Sequence, residues 1–201
     1  LAFSQQKLNF EFKSGDLLFQ DLDCGGLCDA IEAVTVGVNG KNFSHIGLVY
    51  VKQDSVFVIE AIGKDVHLTP IDTFIYRNTD SAGHPKIVIA RLRKNYQYLN
   101  NKAISFALHQ LGTPYDDAFI YNNGKYYCSE LIYDAYKYAN KGKAFFSLQP
   151  MTFKNPSTGK TFDAWKKYYA LLHTKIPEGK PGCNPGSISR SNKIEIISSL
   201  Y

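Results

Sequence analysis

Two runs rich in β-branched residues, HIGLVYV at 45–51 and VFVIEA at 56–61, are separated by only four polar residues, Lys52-Gln53-Asp54-Ser55. Strand-forming runs joined by so short a polar link read as a β-hairpin, which commits the chain to antiparallel pairing. Other segments extend this start. GDLLFQ at 15–20 reads as a short strand opened by Gly and Asp, 66–68 as a brief one, 86–92 as another, and KIEII at 193–197 as a closing strand. Leu27, Ala30, Ile31 and Val34 fall at helical spacing within 24–36. A helix over 98–110 stops at Gly112, with Pro114 beyond it. CSELIYDAYKYA at 128–139 and the stretch 162–172 predict two more helices. Residues 140–161 hold Gly, Pro, Asn and Ser turns, and 177–187, with three prolines and three glycines, reads as a loop. Strands flanked by helices in this order predict an α+β fold with an antiparallel sheet.

A chain of 201 residues fits one domain and buries a substantial core without disulfides or metals. It has no stretch of about 20 apolar residues, so no membrane-spanning segment is expected. Its net charge of +5 comes from 23 Lys+Arg against 18 Asp+Glu, with basic residues scattered, as at Lys137, Lys141, Lys143, Lys166 and Lys167. Nucleic-acid binding clusters such charge on one face, so no nucleic-acid partner is expected. A mild bias toward anionic substrates or surfaces remains. The start, LAFSQQ, is similar to the tail of a secretory signal and predicts a periplasmic or secreted protein; the alternative is an ordinary frayed terminus. The 14 Tyr and 13 Phe fit either an aromatic-lined groove or a tyrosine-rich core and surface. Four cysteines do not make a disulfide framework. Cys24 and Cys28, four apart on the first helix, either bridge each other or begin a zinc site. No second close Cys/His pair completes such a site, and the five histidines are dispersed, so neither metal nor cofactor is expected.

Cys128 stands where a polar turn, Asn122-Asn123-Gly124-Lys125, gives way to an amphipathic helix. A thiol at a helix N-terminus meets unpaired N–H groups and the positive end of the macrodipole. Both favour the reactive thiolate, and the same N–H groups can hold an oxyanion. The alternative is a buried structural cysteine. His45 opens the first hairpin strand. Folding the hairpin about Gln53-Asp54 sets Gly47 opposite Glu60, and His45 shares a face with Gly47. His45 and Glu60 are then diagonal neighbours, roughly 7–8 Å apart and within reach of their side chains. A carboxylate there fixes the imidazole tautomer and supports its cation. Glu60 lies among Val58, Ile59, Ala61 and Ile62, where a charge needs a partner. Its alternative is a solvent-facing strand glutamate.

LGTPYDDAF followed by YYCSEL resembles the segment around the nucleophile of NlpC-type papain-like cysteine peptidases, and FSHIGLVYV…VFVIEA resembles that family's His-bearing hairpin. Here the hairpin precedes the cysteine helix, the reverse of ordinary members. GDLLFQ before SHIG, with YYCSEL after them, is similar to the circularly permuted YiiX/YebB-like branch. The resemblance covers about residues 14–139. It implies a papain-like fold with Cys128 as nucleophile, His45 as base and Glu60 as third member. Tyr115 of the Gly-x-Pro-Tyr element and Ser129 beside the nucleophile become candidates for oxyanion or substrate binding; a packing tyrosine is the alternative for Tyr115. Cys24 and Cys28 depart from the small polar residues expected at their positions, and Cys24 is a candidate to mask Cys128 in a disulfide. Residues 140–201 carry no mapped motif and are expected to cover one edge of the cleft.

The implied chemistry is acyl transfer through a Cys128 thioester. The substrates implied are a small peptide, a peptidoglycan fragment of the bacterial cell wall, or a lipid-like acyl compound. Rival readings are an acyltransferase of the same fold, an inactive binding module, and a zinc protein built on Cys24 and Cys28.

Overall fold

The computed structural model describes residues 10–200, so the suspected leader remnant at 1–6 lies outside the described residues. Six strands make one sheet: β1 (Leu17–Gln20), β2 (His45–Lys52), β3 (Ser55–Ile62), β4 (Asp65–Pro70), β5 (Ile87–Leu92) and β8 (Ile194–Ser199). Their order is β4-β3-β2-β1-β5-β8, and every neighbouring pair is antiparallel. A two-stranded ribbon, β6 (Gln149–Pro150) with β7 (Pro181–Gly182), stands apart. The helices are α1 (Gly26–Glu32), α2 (Ile71–Tyr76), α3 (Asn100–His109), α4 (Cys128–Ala139), α5 (Asp163–Leu171) and α6 (Pro185–Ser189). The architecture is the α+β class expected. None of the helices among the described residues is long and apolar enough to cross a membrane.

β1 is buried along its whole length. Leu17 and Phe19 enter the core under α3 and α4, whereas Leu18 enters the core on the other face, as a period of two requires. The start of the strand is pinned. Gly15 has φ 97°, and a Cβ on it would sit 2.2 Å from the Asn100 side chain, so no other residue fits without displacing α3. Asn100 in turn accepts the Tyr136 hydroxyl at 3.1 Å, which joins β1, α3 and α4 at one point. Buried Asp16 receives Arg91 of β5 at 2.6 and 2.8 Å, a two-pronged pair that satisfies the carboxylate.

On one face Leu131, Ile132 and Ala135 of α4 pack over Leu48 and Ile59. The opposite face is covered by Phe74 and Ile75 of α2, which sit on Val49, Val58, Ile87 and Ile89. A third cluster joins Ala30 of α1 to Trp165 and Tyr169 of α5 and to Phe153.

Two departures from the sequence expectations have local causes. α2 was not anticipated, because six residues are too few to display a helical period. Part of the expected 177–187 loop is helical: Pro185 opens α6, and Asn184 caps it by accepting the Ser187 N–H at 2.7 Å. Residues 140–201 do more than cover an edge, since β8 completes the sheet beside β5. Cys24 and Cys28 are joined by a disulfide across the first turn of α1, with Cα atoms 5.3 Å apart. Cys24 is therefore spent, and Cys128 is a free thiol rather than masked by it.

Candidate active site

α4 begins abruptly at Cys128. Tyr127 supplies no side-chain cap, and the Leu131 N–H is the first in the helix to bond the Tyr127 carbonyl, at 3.2 Å. The N–H groups of the first turn therefore have no helical acceptor. Cys128 is buried, 5% exposed, and α4 lies across β2 and β3.

His45, the first residue of β2, is buried, and its Nε2 meets Glu60 Oε2 at 2.6 Å. The Cys128 side chain also acts on the ring and favours its protonated form. The Glu60 contact uses Nε2, so Nδ1 is not engaged by Glu60. The register pairs Leu48 with Ile59, so Gly47 stands opposite Glu60 and His45 is its diagonal neighbour. A Cβ on Gly47 would fall 2.3 Å from Val58 and 3.1 Å from Phe74, so the glycine is what lets β3 and α2 close around this site.

Glu60 is fully buried and fully compensated. Thr69 Oγ1 donates to Oε1, and Arg77 donates to both carboxylate oxygens at 2.9 Å. Arg77 is itself held: its Nε donates to Gln20 Oε1 at 2.8 Å, and the guanidinium lies 4.3 Å over the Phe74 ring. Gln20 is oriented by donating to the Phe74 carbonyl at 2.8 Å. Burial opposes ionisation of Glu60, but the bonds and charges of His45 and then Arg77 prevail and hold its carboxyl down at about 2. Burial likewise opposes a charged His45. The hydrogen bonds to Cys128 and Glu60, with their negative charges, outweigh burial and lift the imidazole above its ordinary range. The arrangement favours a protonated imidazole held by the Glu60 carboxylate.

The loop before α4 shapes the approach. Buried Asp116 accepts the N–H groups of Ala118 and Ile120 at 3.1 and 2.6 Å, which forces Phe119 into a left-handed conformation, φ 53°. A bulky residue rarely adopts that backbone. It puts the Phe119 ring against Tyr115, Tyr127, Trp165 and Tyr168. Tyr115 lines the cleft above Cys128, and its hydroxyl has no hydrogen-bond partner among the described residues. Burial, and then negative charge at Cys128, push the Tyr115 phenol well above its ordinary pKa, so it stays a donor. The Ser129 hydroxyl is committed elsewhere, donating to the Cys183 carbonyl at 3.0 Å. That contact ties α4 to the segment before α6 and leaves Ser129 its N–H to offer. Cys183, the other free cysteine, also lines the cleft, with burial pushing its thiol far up.

The cleft has a volume of about 250 Å³. One wall is apolar, formed by Ile31, Phe119, Met151, Phe153 and Trp165; Gln149, Asn184 and Arg190 supply polar groups. The sequence pattern had pointed to Cys128, His45 and Glu60, and the fold brings these three together. It had not pointed to Thr69, Arg77, Gln20 or Asp116. The one signal for Arg77 was indirect: a carboxylate as buried as Glu60 demands a cation besides an imidazole.

A family model described as "Permuted papain-like amidase enzyme, YaeF/YiiX, C92 family" matches residues 11–198. The uncharacterized protein YiiX of Escherichia coli K12 is 27% identical over 128 residues, covering 63% of this chain and 58% of that protein. The chain thus aligns with little more than half the length of that relative. A crystal structure titled "metalloprotein yiiX" from Escherichia coli O157:H7 superposes with a TM-score of 0.71 at 22% identity, covering 93% of this chain and 97% of that one. Among the described residues no three His, Cys, Asp or Glu side chains converge where an ion could be held, and Glu60 is already occupied by His45, Thr69 and Arg77. The donor set among the described residues does not fit a metal.

Proposed function

Because the chain belongs to the permuted papain-like amidase family, we propose that it hydrolyses amides with an apolar acyl group, using Cys128, His45 and Glu60. Cys128 passes its proton to His45 Nδ1 and attacks the carbonyl carbon. Glu60 holds the imidazolium through Nε2, and Arg77 and Thr69 hold Glu60. The Cys128 N–H and the Tyr115 hydroxyl, which has no hydrogen-bond partner among the described residues, serve as donors to the tetrahedral oxyanion. His45 returns its proton to the departing amine. Water, deprotonated by His45, then releases the acid from the Cys128 thioester.

The observation that carries the substrate class is the cleft wall. Among the described residues no carboxylate lines it, and the side nearest α1 and α5 is apolar and aromatic. Such a wall favours an alkyl or acyl chain over the polar, charged stem of a cell-wall peptide. The Cys24–Cys28 disulfide supports an oxidising location, outside the cytosol.

The test is a series of N-acyl amides of rising chain length, with amine release measured for the wild type, Cys128→Ala and His45→Ala. Each methylene that enters the cleft should raise kcat/KM about fourfold, from ~0.8 kcal/mol per buried CH₂, until the wall is filled. Cys128→Ala should abolish release. Activity that is flat with chain length would overturn the substrate class. Absence of turnover, with Cys128 alkylating at pH 6 no faster than Cys183, would overturn the amidase reading itself.

A further inference from the structure

The cleft over Cys128 is not closed at its α6 end. A second cavity, of about 630 Å³, adjoins it, and Gln149, Ser187 and Arg190 line both. The two differ in chemistry. The second is bounded by Ser147, Ser191, Asn192 and Lys193 as well as Phe145 and Phe146. Among the described residues neither cavity has an Asp or Glu in its lining, and the charged ones are Arg190 and Lys193.

Arg190 differs from the other three arginines of the chain. Arg77 is spent on Glu60, Arg91 on Asp16, and Arg93 on the Asn192 carbonyl. The Arg190 side chain is exposed and has no hydrogen bond or ion pair with any described residue. Lys193 donates to the Phe145 carbonyl and stands 4.6 Å over its ring, so its charge too is without a carboxylate. Two uncompensated cations at a cavity next to a nucleophile are poised for an anion. A guanidinium suits a carboxylate or phosphate, whose oxygens match its fork.

We propose that Arg190, backed by Lys193, binds an anionic group carried by the amine half of the substrate. The inference rests on the amidase reading above and narrows it. The acyl half occupies the apolar wall, where a charge would be costly, so the anion belongs across the scissile bond. The substrates are then N-acyl amino acids or N-acyl aminoalkyl phosphates. Hydrolysis splits the C–N bond, adds water, and yields a fatty acid and a free amine bearing the anion.

The experiment compares matched pairs below their micelle concentrations. N-decanoylglycine is set against N-decanoylglycinamide for the carboxylate, and N-decanoyl phosphoethanolamine against N-decanoylethanolamine for the phosphate. The pair with the larger ratio identifies the anion. The wild type should prefer one charged member by about tenfold to a hundredfold in kcat/KM, the range of a charge-assisted contact. Arg190→Gln should bring that ratio toward one, and Lys102→Gln, on the exposed side of α3, should leave it alone. Binding of the same compounds to Cys128→Ala and to Cys128→Ala with Arg190→Gln reads the subsite without chemistry. A binding preference lost with Arg190, but no turnover by the wild type, would keep the subsite and sink the amidase reading. Equal turnover of charged and neutral members, or a preference that survives Arg190→Gln, would overturn the subsite and leave the amidase standing.

Discussion

Glu130, two residues beyond Cys128, should destabilise this protein at neutral pH, and replacing it by glutamine should reveal by how much. The residue is fully buried. One carboxyl oxygen accepts the Asn122 N–H at 2.7 Å, and the other has no hydrogen-bond partner among the described residues. Burial dominates its titration. The Asn122 N–H opposes that effect, the charges of Asp134 and Asp116 add to it, and the carboxyl is pushed up to about 8 from an ordinary 4.5. Between those two values the folded chain holds a proton that the unfolded chain releases. Stability therefore falls as pH rises through this window, by about 1.4 kcal/mol per unit, and is undiminished below it. At pH 7 the accumulated cost is about 3 kcal/mol. Glu130→Gln resembles the protonated acid in shape and keeps the acceptor for Asn122. Its amide leaves a donor unpaired, at a cost of about 1 kcal/mol. The variant should thus be slightly weaker than wild type at pH 4 and roughly 2 kcal/mol stronger at pH 7. Urea titrations at several pH values between 4 and 8 would show it, as a midpoint difference that grows with pH at constant m. A midpoint difference independent of pH would refute the assignment of Glu130 as a buried acid.

Glu60 should act in the opposite sense. Held at about 2 against an ordinary 4.5, it contributes on the order of 3 kcal/mol above pH 4.5, lost as pH falls toward 2. Arg77→Gln should move acid unfolding, followed by Trp165 fluorescence, to higher pH; an unchanged acid midpoint would count against the Arg77–Glu60 pair. Gly47→Ala should destabilise by about 1–3 kcal/mol through its collision with Val58 and Phe74. That loss should also lower amide hydrolysis, because α2 carries Phe74 and leads into Arg77; a stable, fully active variant would show that the contact is not tight. Reducing the Cys24–Cys28 bond should cost about 2 kcal/mol, from closing so short a loop. A midpoint in urea that is insensitive to reductant would contradict this.

The parts of the fold that the sequence announced are those with a period. The 45–51 and 56–61 runs became β2 and β3 with the expected register, and 128–139 became α4 residue for residue. Elements too short to repeat, such as α2, β6 and β7, left no such trace. The expected helix over 24–36 contracted to α1, because Gly25 caps it and Gly26 opens it, and β-branched Val34, Thr35 and Val36 with Gly37 follow it.

The candidate site divides along the same line, for an electrostatic reason. Reactive groups must be buried, and buried ionisable groups must be compensated, so chemistry leaves a mark on the local pattern. Glu60 stood out because a carboxylate in an apolar strand needs a partner, and the hairpin geometry named His45. Arg77 answers the same demand, but it directly follows α2, a helix that no local pattern foresaw. The walls of the cleft need only shape. Ile31, Phe119, Met151 and Trp165 each read as ordinary core residues, and the positive φ of Phe119 follows from the two N–H groups that Asp116 collects. Arg190 is the intermediate case. Among scattered basic residues it is unremarkable in sequence, and it becomes informative only when the fold shows that no acid among the described residues answers it. A nucleophile can therefore be found from the demands of its neighbours, whereas a specificity pocket must be found by asking which of its charges are still waiting for one.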